Sequence, residues 1–167
     1  DTPEFKQWFG DSKVVDEAGQ PITVYHGSNK DIKSFQTNGG HGLRYGSGAY
    51  FTDDASKASY YSDRYTKEGS NVGAYHLSMK NPYIDEPGKL PPREVIEALE
   101  QELPSSWMGD SGRKAIGNYL NGTAYNGDEV GFLSYVFDNA GRGFSGDSIQ
   151  KSLKSIGHDG VVGRRLG

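Results

Sequence analysis

The spacing of apolar and polar positions along this chain predicts short strands interspersed with helices. Residues 74–79 alternate between apolar and polar side chains, a period of two that is typical of a half-buried strand. Residues 91–103 place apolar side chains three or four positions apart after Pro91-Pro92, which predicts an amphipathic helix. The predicted helices cover residues 5–9, 54–65, 91–103, 113–120, 129–139 and 148–156. The predicted strands cover residues 14–15, 22–25, 49–52, 74–79 and 159–162.

Turn and cap residues mark the ends of several of these elements. Residues 16–21 predict a hairpin turn between the first two strands, and residues 36–48, with five glycines, predict a loop. We expect Asp53 and Asp147 to cap the helices that follow them and Gly157 to end the last helix. The irregular order of strands and helices predicts an α+β fold with mainly antiparallel sheets and flanking helices.

Size, charge and cysteine content narrow the class of protein. The 167 residues predict a single domain. The net charge of −4, with Arg164-Arg165 as the most basic stretch, argues against charge-driven binding to nucleic acids or anionic membranes. The sequence has no cysteine, which excludes disulfides, thiolate metal ligands and a cysteine nucleophile. No stretch has the pattern of a signal peptide or a membrane span, and no metal site is predicted.

The first motif with recognisable chemistry is Tyr-His-Gly-Ser at residues 25–28, which we expect to end a strand. A neutral His26 imidazole offers one donor and one acceptor, which suits ribose hydroxyls. Gly27 has no side chain to shield its backbone from a ligand, and Ser28 adds a hydroxyl. Taken alone, a histidine beside a strand end is more often structural than functional.

The second motif is Gly-Ser-Gly-Ala-Tyr-Phe-Thr at residues 46–52, continued by Ser-Lys-Ala-Ser-Tyr-Tyr at residues 56–61. It is not a dinucleotide fingerprint, because Phe51 stands at the third glycine and the strand follows the glycines. It is not a P-loop either, because it lacks Gly-Lys-Ser/Thr. Taken alone, it predicts a glycine-rich turn leading into a strand.

Together the two motifs resemble those of the ADP-ribosyltransferases of the diphtheria-toxin and poly-ADP-ribose-polymerase type, which carry a His, a Tyr and a Glu in three separate motifs. The order of elements over nearly the whole chain resembles the ADP-ribosyltransferase domains of phage and bacterial polymorphic-toxin polyproteins. The resemblance implies the split, mainly antiparallel sheets of that fold, and NAD as the substrate. It also implies action in the cytoplasm after delivery within a larger secreted or phage-encoded polyprotein.

The resemblance assigns roles to the matching residues. His26 and Tyr50 match the catalytic histidine and tyrosine, and His26 would hold ribose hydroxyls of NAD. The Gly27 backbone would pair with the nicotinamide amide, Ser28 would lie near the adenosine ribose, and Tyr61 would stack on the nicotinamide ring.

Further residues complete the expected NAD site or depart from the family pattern. Phe51 follows Tyr50 in that site, and Arg44 is a candidate for binding the pyrophosphate, although a solvated surface arginine is an equal alternative. Ala58 stands where the family often has a serine that bonds the nicotinamide amide, and Ser59 is its neighbour.

The third motif has no counterpart in these residues. The family glutamate lies on a late strand after a segment similar to residues 157–162, whereas the last glutamate here is Glu129. We therefore expect the chain to be part of a longer protein and to lack the C-terminal strand or strands with that glutamate. Glu68 falls in a loop. Four other glutamates are predicted to form the solvated face of the helix at 91–103: Glu94, Glu97, Glu100 and Glu102.

Three functions stay open at this point. The first is an NAD-dependent transferase, toxin- or effector-like, that modifies a protein or nucleic acid of a host and has an immunity or antitoxin protein as a further partner. The second is an inactive NAD- or partner-binding domain of the same fold. The third is a nucleic-acid-binding module, which the acidic charge disfavours. No membrane partner is expected. Residues 104–147 are the predicted location of the loops that choose the acceptor, with a mobile glycine-rich connection as an equal alternative.

Overall fold

The computed structural model describes residues 2–29, 31–35, 45–63, 71–124, 129–141 and 144–163. The chain divides into two compact units: the first comprises Asp1–Gln36 and Ala49–Lys80, and the second Thr37–Gly48 and Asn81–Gly167. Within the described residues there are six helices, one antiparallel strand pair and one parallel pair. The predicted α+β class is confirmed, with the parallel pair as a departure from the expected antiparallel pattern. That the chain forms a single domain stays a prediction.

The first unit begins with helix α1, Pro3–Phe9. The Thr2 hydroxyl accepts a hydrogen bond from the Phe5 backbone N–H at 3.2 Å, and Pro3 supplies a helical φ at the first position. Phe9 is buried on the inner side of this helix. The predicted aromatic helix is therefore confirmed, with its start two residues earlier than expected.

A tight turn over residues 16–21 leads from α1 towards the first strand. The Asp16 carboxylate accepts hydrogen bonds from the backbone N–H groups of Ala18 and Gln20, at 2.9 and 2.8 Å. The predicted hairpin is present but is reduced to one antiparallel bridge, between Val15 and Pro21.

Strand β1, Val24–Ser28, pairs with strand β2, Asn71–Tyr75, in an antiparallel ladder that sets His26 opposite Gly73. The strand thus contains the Tyr-His-Gly-Ser motif, and the prediction that it ends at Tyr25 is wrong. The cause is the partner strand, because β2 offers backbone groups along the whole of β1.

The bounds predicted for the second partner, residues 74–79, are also wrong. Leu77 and Met79 lie beyond β2, and their carbonyls accept hydrogen bonds from the Ser12 hydroxyl at 2.9 Å and the Lys13 N–H at 2.7 Å. Their alternating pattern thus belongs to a segment that packs beside the turn after α1.

Helix α2, Ala55–Asp63, confirms the predicted helix at 54–65 within the described residues. Its cap is Asp54 and not Asp53, because the Asp54 carboxylate accepts the Ser56 N–H at 2.9 Å. The predicted strand at 49–52 shrinks to one antiparallel bridge, between Thr52 and Tyr25.

The second unit packs four helices on a two-stranded parallel pair. The helices are α3, Arg93–Glu102; α4, Trp107–Leu120; α5, Phe132–Asn139; and α6, Gly146–Ser155. The strands are β3, Tyr83–Asp85, which the sequence pattern missed, and β4, Val161–Gly163. The centre of the core consists of side chains with no exposed surface: Val95, Leu99, Phe132, Leu133, Val136 and Ala140.

Helix α4 is longer than the predicted 113–120. Two of its glycines face close neighbours: a Cβ at Gly109 would lie 3.0 Å from the Pro104 carbonyl carbon, and one at Gly112 would lie 3.3 Å from a Leu103 methyl and closer still to the other. Close packing thus stabilises a helix whose glycines have low helix propensity, which explains why the sequence pattern missed its first half.

The N-terminus of α6 differs from the prediction, and its C-terminus agrees with it. Ser145 is the cap, in a reciprocal pair of hydrogen bonds with Ser148, so the assignment of Asp147 as cap is wrong. Gly157 has a φ of 89° just after the helix, which confirms it as the terminating residue.

Candidate functional site

The structure joins the first two sequence motifs by a hydrogen bond between His26 and Tyr50. His26 Nδ1 lies 2.6 Å from the Tyr50 carbonyl oxygen. A carbonyl can only accept, so Nδ1 carries the proton, and Nε2 of the neutral ring is the remaining acceptor. The predicted site residues His26 and Tyr50 are therefore brought together by the fold.

Two phenylalanines flank the His26 ring within the first unit. The ring centroids of Phe35 and Phe51 lie 5.1 and 5.5 Å from that of His26, and 5.0 Å from each other. Phe51, named by the sequence as a site residue, thus contacts the histidine. Phe35 was not expected near the site; an aromatic residue shortly after the motif is the only signal that points to it.

Gly27 is required by the packing of helix α2 on strand β1. A Cβ at this position would lie 2.8 Å from the Ala58 carbonyl carbon, closer still to its oxygen, and 3.1 Å from the Ser62 nitrogen. The space that the sequence interpretation left for a ligand above Gly27 is therefore occupied by the helix. Only glycine permits the helix and the strand to approach so closely.

The backbone N–H and C=O of Gly27 nevertheless lie at the edge of β1 that faces away from β2. Tyr25 donates its N–H to Thr52 at 2.7 Å and accepts the Thr52 N–H at 3.0 Å. Hydrogen-bonding direction alternates along a strand, so Gly27, two residues on, turns its N–H and C=O to that same side. The bridge between Tyr25 and Thr52 is isolated, so the pairing does not extend as a ladder to Gly27.

Helix α2 presents two neighbouring tyrosines to solvent. Tyr60 is 65% and Tyr61 45% exposed, and their rings make an edge contact with centroids 5.7 Å apart. The buried face of the helix consists of Ala58 and Ser62. The Tyr61 ring is therefore accessible on the helix that covers Gly27.

Side-chain alternation indicates which residues share a face of the first unit. Phe51 lies with His26 on one face of β1, and α2 packs on the other face, over Gly27. The site residues therefore lie on both faces of β1. Ser28, half-buried at the end of β1, pairs with Asn71.

Arg44 lies outside the described residues, and so do Glu68, Arg164 and Arg165. A role for Arg44 at the pyrophosphate stays a prediction.

The glutamates predicted to be solvated are exposed. Glu94, Glu97, Glu100 and Glu102 all lie on the outer face of α3, and Glu97 pairs with Arg93 at 2.7 Å. Glu129 is exposed as well. These carboxylates belong to the second unit and have ordinary surface surroundings.

The sequence interpretation missed one buried carboxylate, Asp85 in β3, which is 1% exposed. It accepts hydrogen bonds from the backbone N–H groups of Leu133 at 2.9 Å and Ser134 at 3.2 Å, in the first turn of α5. Burial raises its pKa above the ordinary value, against the lowering effect of those bonds and of Tyr45. Its contacts identify it as a structural cap of α5.

Burial also raises the pKa of Tyr83, with the nearby Asp85 charge as a second cause.

Within the described residues, no group of three or more His, Asp or Glu side chains is placed to hold a metal ion. No described helix is both long and apolar enough to span a membrane.

A family profile described as ADP-ribosyltransferase in polyvalent proteins matches residues 16–163. The match covers both sequence motifs, strand β1 and helix α2 as well as most of the second unit. The chain therefore belongs to this family of ADP-ribosyltransferases, as the resemblance of its motifs predicts. No curated protein and no solved structure matches the chain.

Proposed function

We propose that this chain binds NAD along β1 and α2 and transfers its ADP-ribose to a protein or nucleic-acid acceptor. The observation that carries the proposal is the 2.6 Å bond from His26 to the Tyr50 carbonyl, which joins the two motifs and selects the tautomer of the neutral ring. In that state Nε2 can accept a hydrogen bond from a ribose hydroxyl.

The nicotinamide end would bind at the edge of β1 that faces away from β2, beside α2. Gly27 turns one donor and one acceptor to its open edge, and a carboxamide offers the complementary acceptor and donor. Tyr61 is exposed on the helix packed against Gly27 and supplies a flat ring for stacking. Ser28 would contact the adenosine ribose, and Phe51 would support His26 from the side.

The reaction would break the bond between ribose C1′ and the nicotinamide nitrogen. The bonding electron pair leaves with the nicotinamide, which departs neutral, and the ribose develops oxocarbenium character. An acceptor nucleophile then bonds to C1′ and loses its proton. In the enzymes that this chain resembles, a glutamate stabilises the positive ribose and positions the acceptor.

A second candidate function is an inactive domain of this family that binds NAD or a protein partner. One observation favours it: Ala58 stands where the family often has the serine that bonds the nicotinamide amide. A toxin- or effector-like role with a neutralising immunity protein belongs to the transferase proposal.

One experiment separates the two functions. The chain is incubated with NAD, nicotinamide release is followed by chromatography, and NAD binding is measured by calorimetry, for the wild type and for His26→Ala. Release that is lost in His26→Ala supports the transferase. Saturable binding without release supports the inactive domain. Absence of binding, or equal release by the folded His26→Ala variant, contradicts the proposed site.

A further inference from the structure

Tyr75 in strand β2 lies beside the site but belongs to neither motif. Its ring folds back over Gly73, the residue paired with His26: a Cβ at Gly73 would lie 2.5 Å from Tyr75 Cε2 and 2.6 Å from Cζ. Paired residues project to the same face of a sheet, so a side chain at position 73 would lie next to His26. Because Gly73 has no side chain, the Tyr75 ring occupies that space.

From Tyr75, ring contacts lead to His26 through two phenylalanines. The Tyr75 centroid lies 5.1 Å from that of Phe35 and 5.7 Å from that of Phe51, both edge-on. Phe35 and Phe51 in turn contact the His26 ring. Tyr75 therefore reaches the histidine through these two rings.

The orientation of the His26 ring decides which nitrogen faces the Tyr50 carbonyl. The terminal torsion of a histidine has broad, roughly two-fold preferences, so an unsupported ring can turn over and exchange the positions of its two edges. The hydrogen bond to Tyr50 selects one orientation, and close aromatic neighbours oppose the turn by occupying the space that it needs.

We propose that Tyr75, lying over Gly73, is a positioning residue that holds the His26 ring through Phe35 and Phe51, so that Nδ1–H donates to Tyr50 and Nε2 stays the acceptor. The functional part of this inference rests on the proposed function, since the choice of nitrogen matters to NAD only if His26 meets a ribose hydroxyl. The structural part concerns the protein without NAD.

The test is the tautomer of His26, read from the imidazole nitrogen shifts of the ¹⁵N-histidine-labelled chain at about pH 8, where an ordinary imidazole is neutral. The signals of His26 are identified by their loss in His26→Asn. The wild type and Tyr75→Phe should show a protonated Nδ1 and a bare Nε2. Gly73→Ala and Tyr75→Leu should show averaged nitrogen shifts of His26, because the Tyr75 ring is displaced in the first variant and absent in the second.

Ala74→Ser is the matched control, since Ala74 is exposed and projects to the opposite face of the same strand. It should leave the tautomer unchanged. Wild-type shifts in folded Gly73→Ala and Tyr75→Leu, or a protonated Nε2 in the wild type, overturn the proposal. If both variants unfold, Phe35→Leu decides the question: averaged shifts support the proposal and unchanged shifts overturn it.

NAD affinity provides the second readout. Gly73→Ala and Tyr75→Leu should weaken NAD binding about two- to tenfold, the range expected for losing one aromatic contact. Tyr75→Phe keeps the ring and should bind NAD as the wild type does. The tautomer is measured without NAD. A tautomer that responds as expected in a chain that binds no NAD would therefore refute the proposed function and leave the positioning role intact. NAD binding by a chain whose His26 tautomer does not respond to the substitutions would refute the positioning role and leave the proposed function intact.

Discussion

The Ala58 carbonyl of helix α2 lies where the Cβ of any residue other than glycine would stand at Gly27. This contact brings the helix with Tyr61 onto the strand with His26. The glycine of the first motif is therefore explained by packing within the first unit, and its backbone is free to have a role of its own at the strand edge.

Gly27→Ala should destabilise the protein by about 1–3 kcal/mol, because the added methyl group meets rigid backbone atoms of α2. Chemical denaturation at equilibrium measures this change. The variant should also bind NAD more weakly, since α2 must move outwards. Unchanged stability would show that the helix does not pack as closely as described.

Glycine substitutions within α4 should have opposite effects on stability. A Cβ at Gly117 meets nothing within 4 Å, so Gly117→Ala should stabilise the protein by about 0.5–1 kcal/mol through helix propensity. Gly109→Ala should destabilise it, because the new Cβ would overlap the Pro104 carbonyl. Denaturation curves of the two variants, compared with the wild type, test the prediction; equal shifts in one direction would contradict it.

Tyr61→Ala should weaken NAD binding by about 1–2 kcal/mol through loss of the stacking ring. Tyr60→Ala is the matched control, since Tyr60 is the neighbouring tyrosine and is the more exposed of the two. Calorimetry should show a higher dissociation constant for Tyr61→Ala alone. If both variants bind NAD as the wild type does, Tyr61 has no place at the nicotinamide.

Asp85 should make stability depend on pH in an unusual direction for a carboxylate. Its pKa is raised above the ordinary value of 3.8, so the folded state binds more protons than the unfolded state as the pH rises through and above that value. The free energy of unfolding of the wild type should therefore fall relative to that of Asp85→Asn over this range, and then level off. Urea denaturation at several pH values measures the difference. A wild type that gains stability relative to the variant as pH rises would mean that the pKa is lowered.

The sequence predicted well those features that depend on local pattern. The apolar stripe of α3 is buried as expected at Val95 and Leu99. The motif residues His26 and Tyr50 were named from the sequence and are joined in the fold. The spacing of apolar residues within one segment predicts the buried face of α3, and the resemblance of the motif residues to a known family predicts the site.

Features that depend on a distant partner were missed. The three residues of β3 are a strand because they pair with β4, and no local period reveals so short an element. No local pattern distinguishes Asp85 from other polar residues, because its partners at the start of α5 are distant in the sequence. The reason for Gly27 was likewise assigned to a ligand, since the approach of Ala58 cannot be read from the spacing.

The most direct test of the NAD site is the backbone amide signal of Gly27 in the ¹⁵N-glycine-labelled chain during titration with NAD. The account predicts a saturable shift of the Gly27 signal, because its N–H would donate to the nicotinamide carboxamide. Gly117, in helix α4, is the internal reference and should stay unchanged, since the proposed site includes no residue of that helix. A saturable response at other glycines with Gly27 unmoved, or no response at any glycine, would contradict the account.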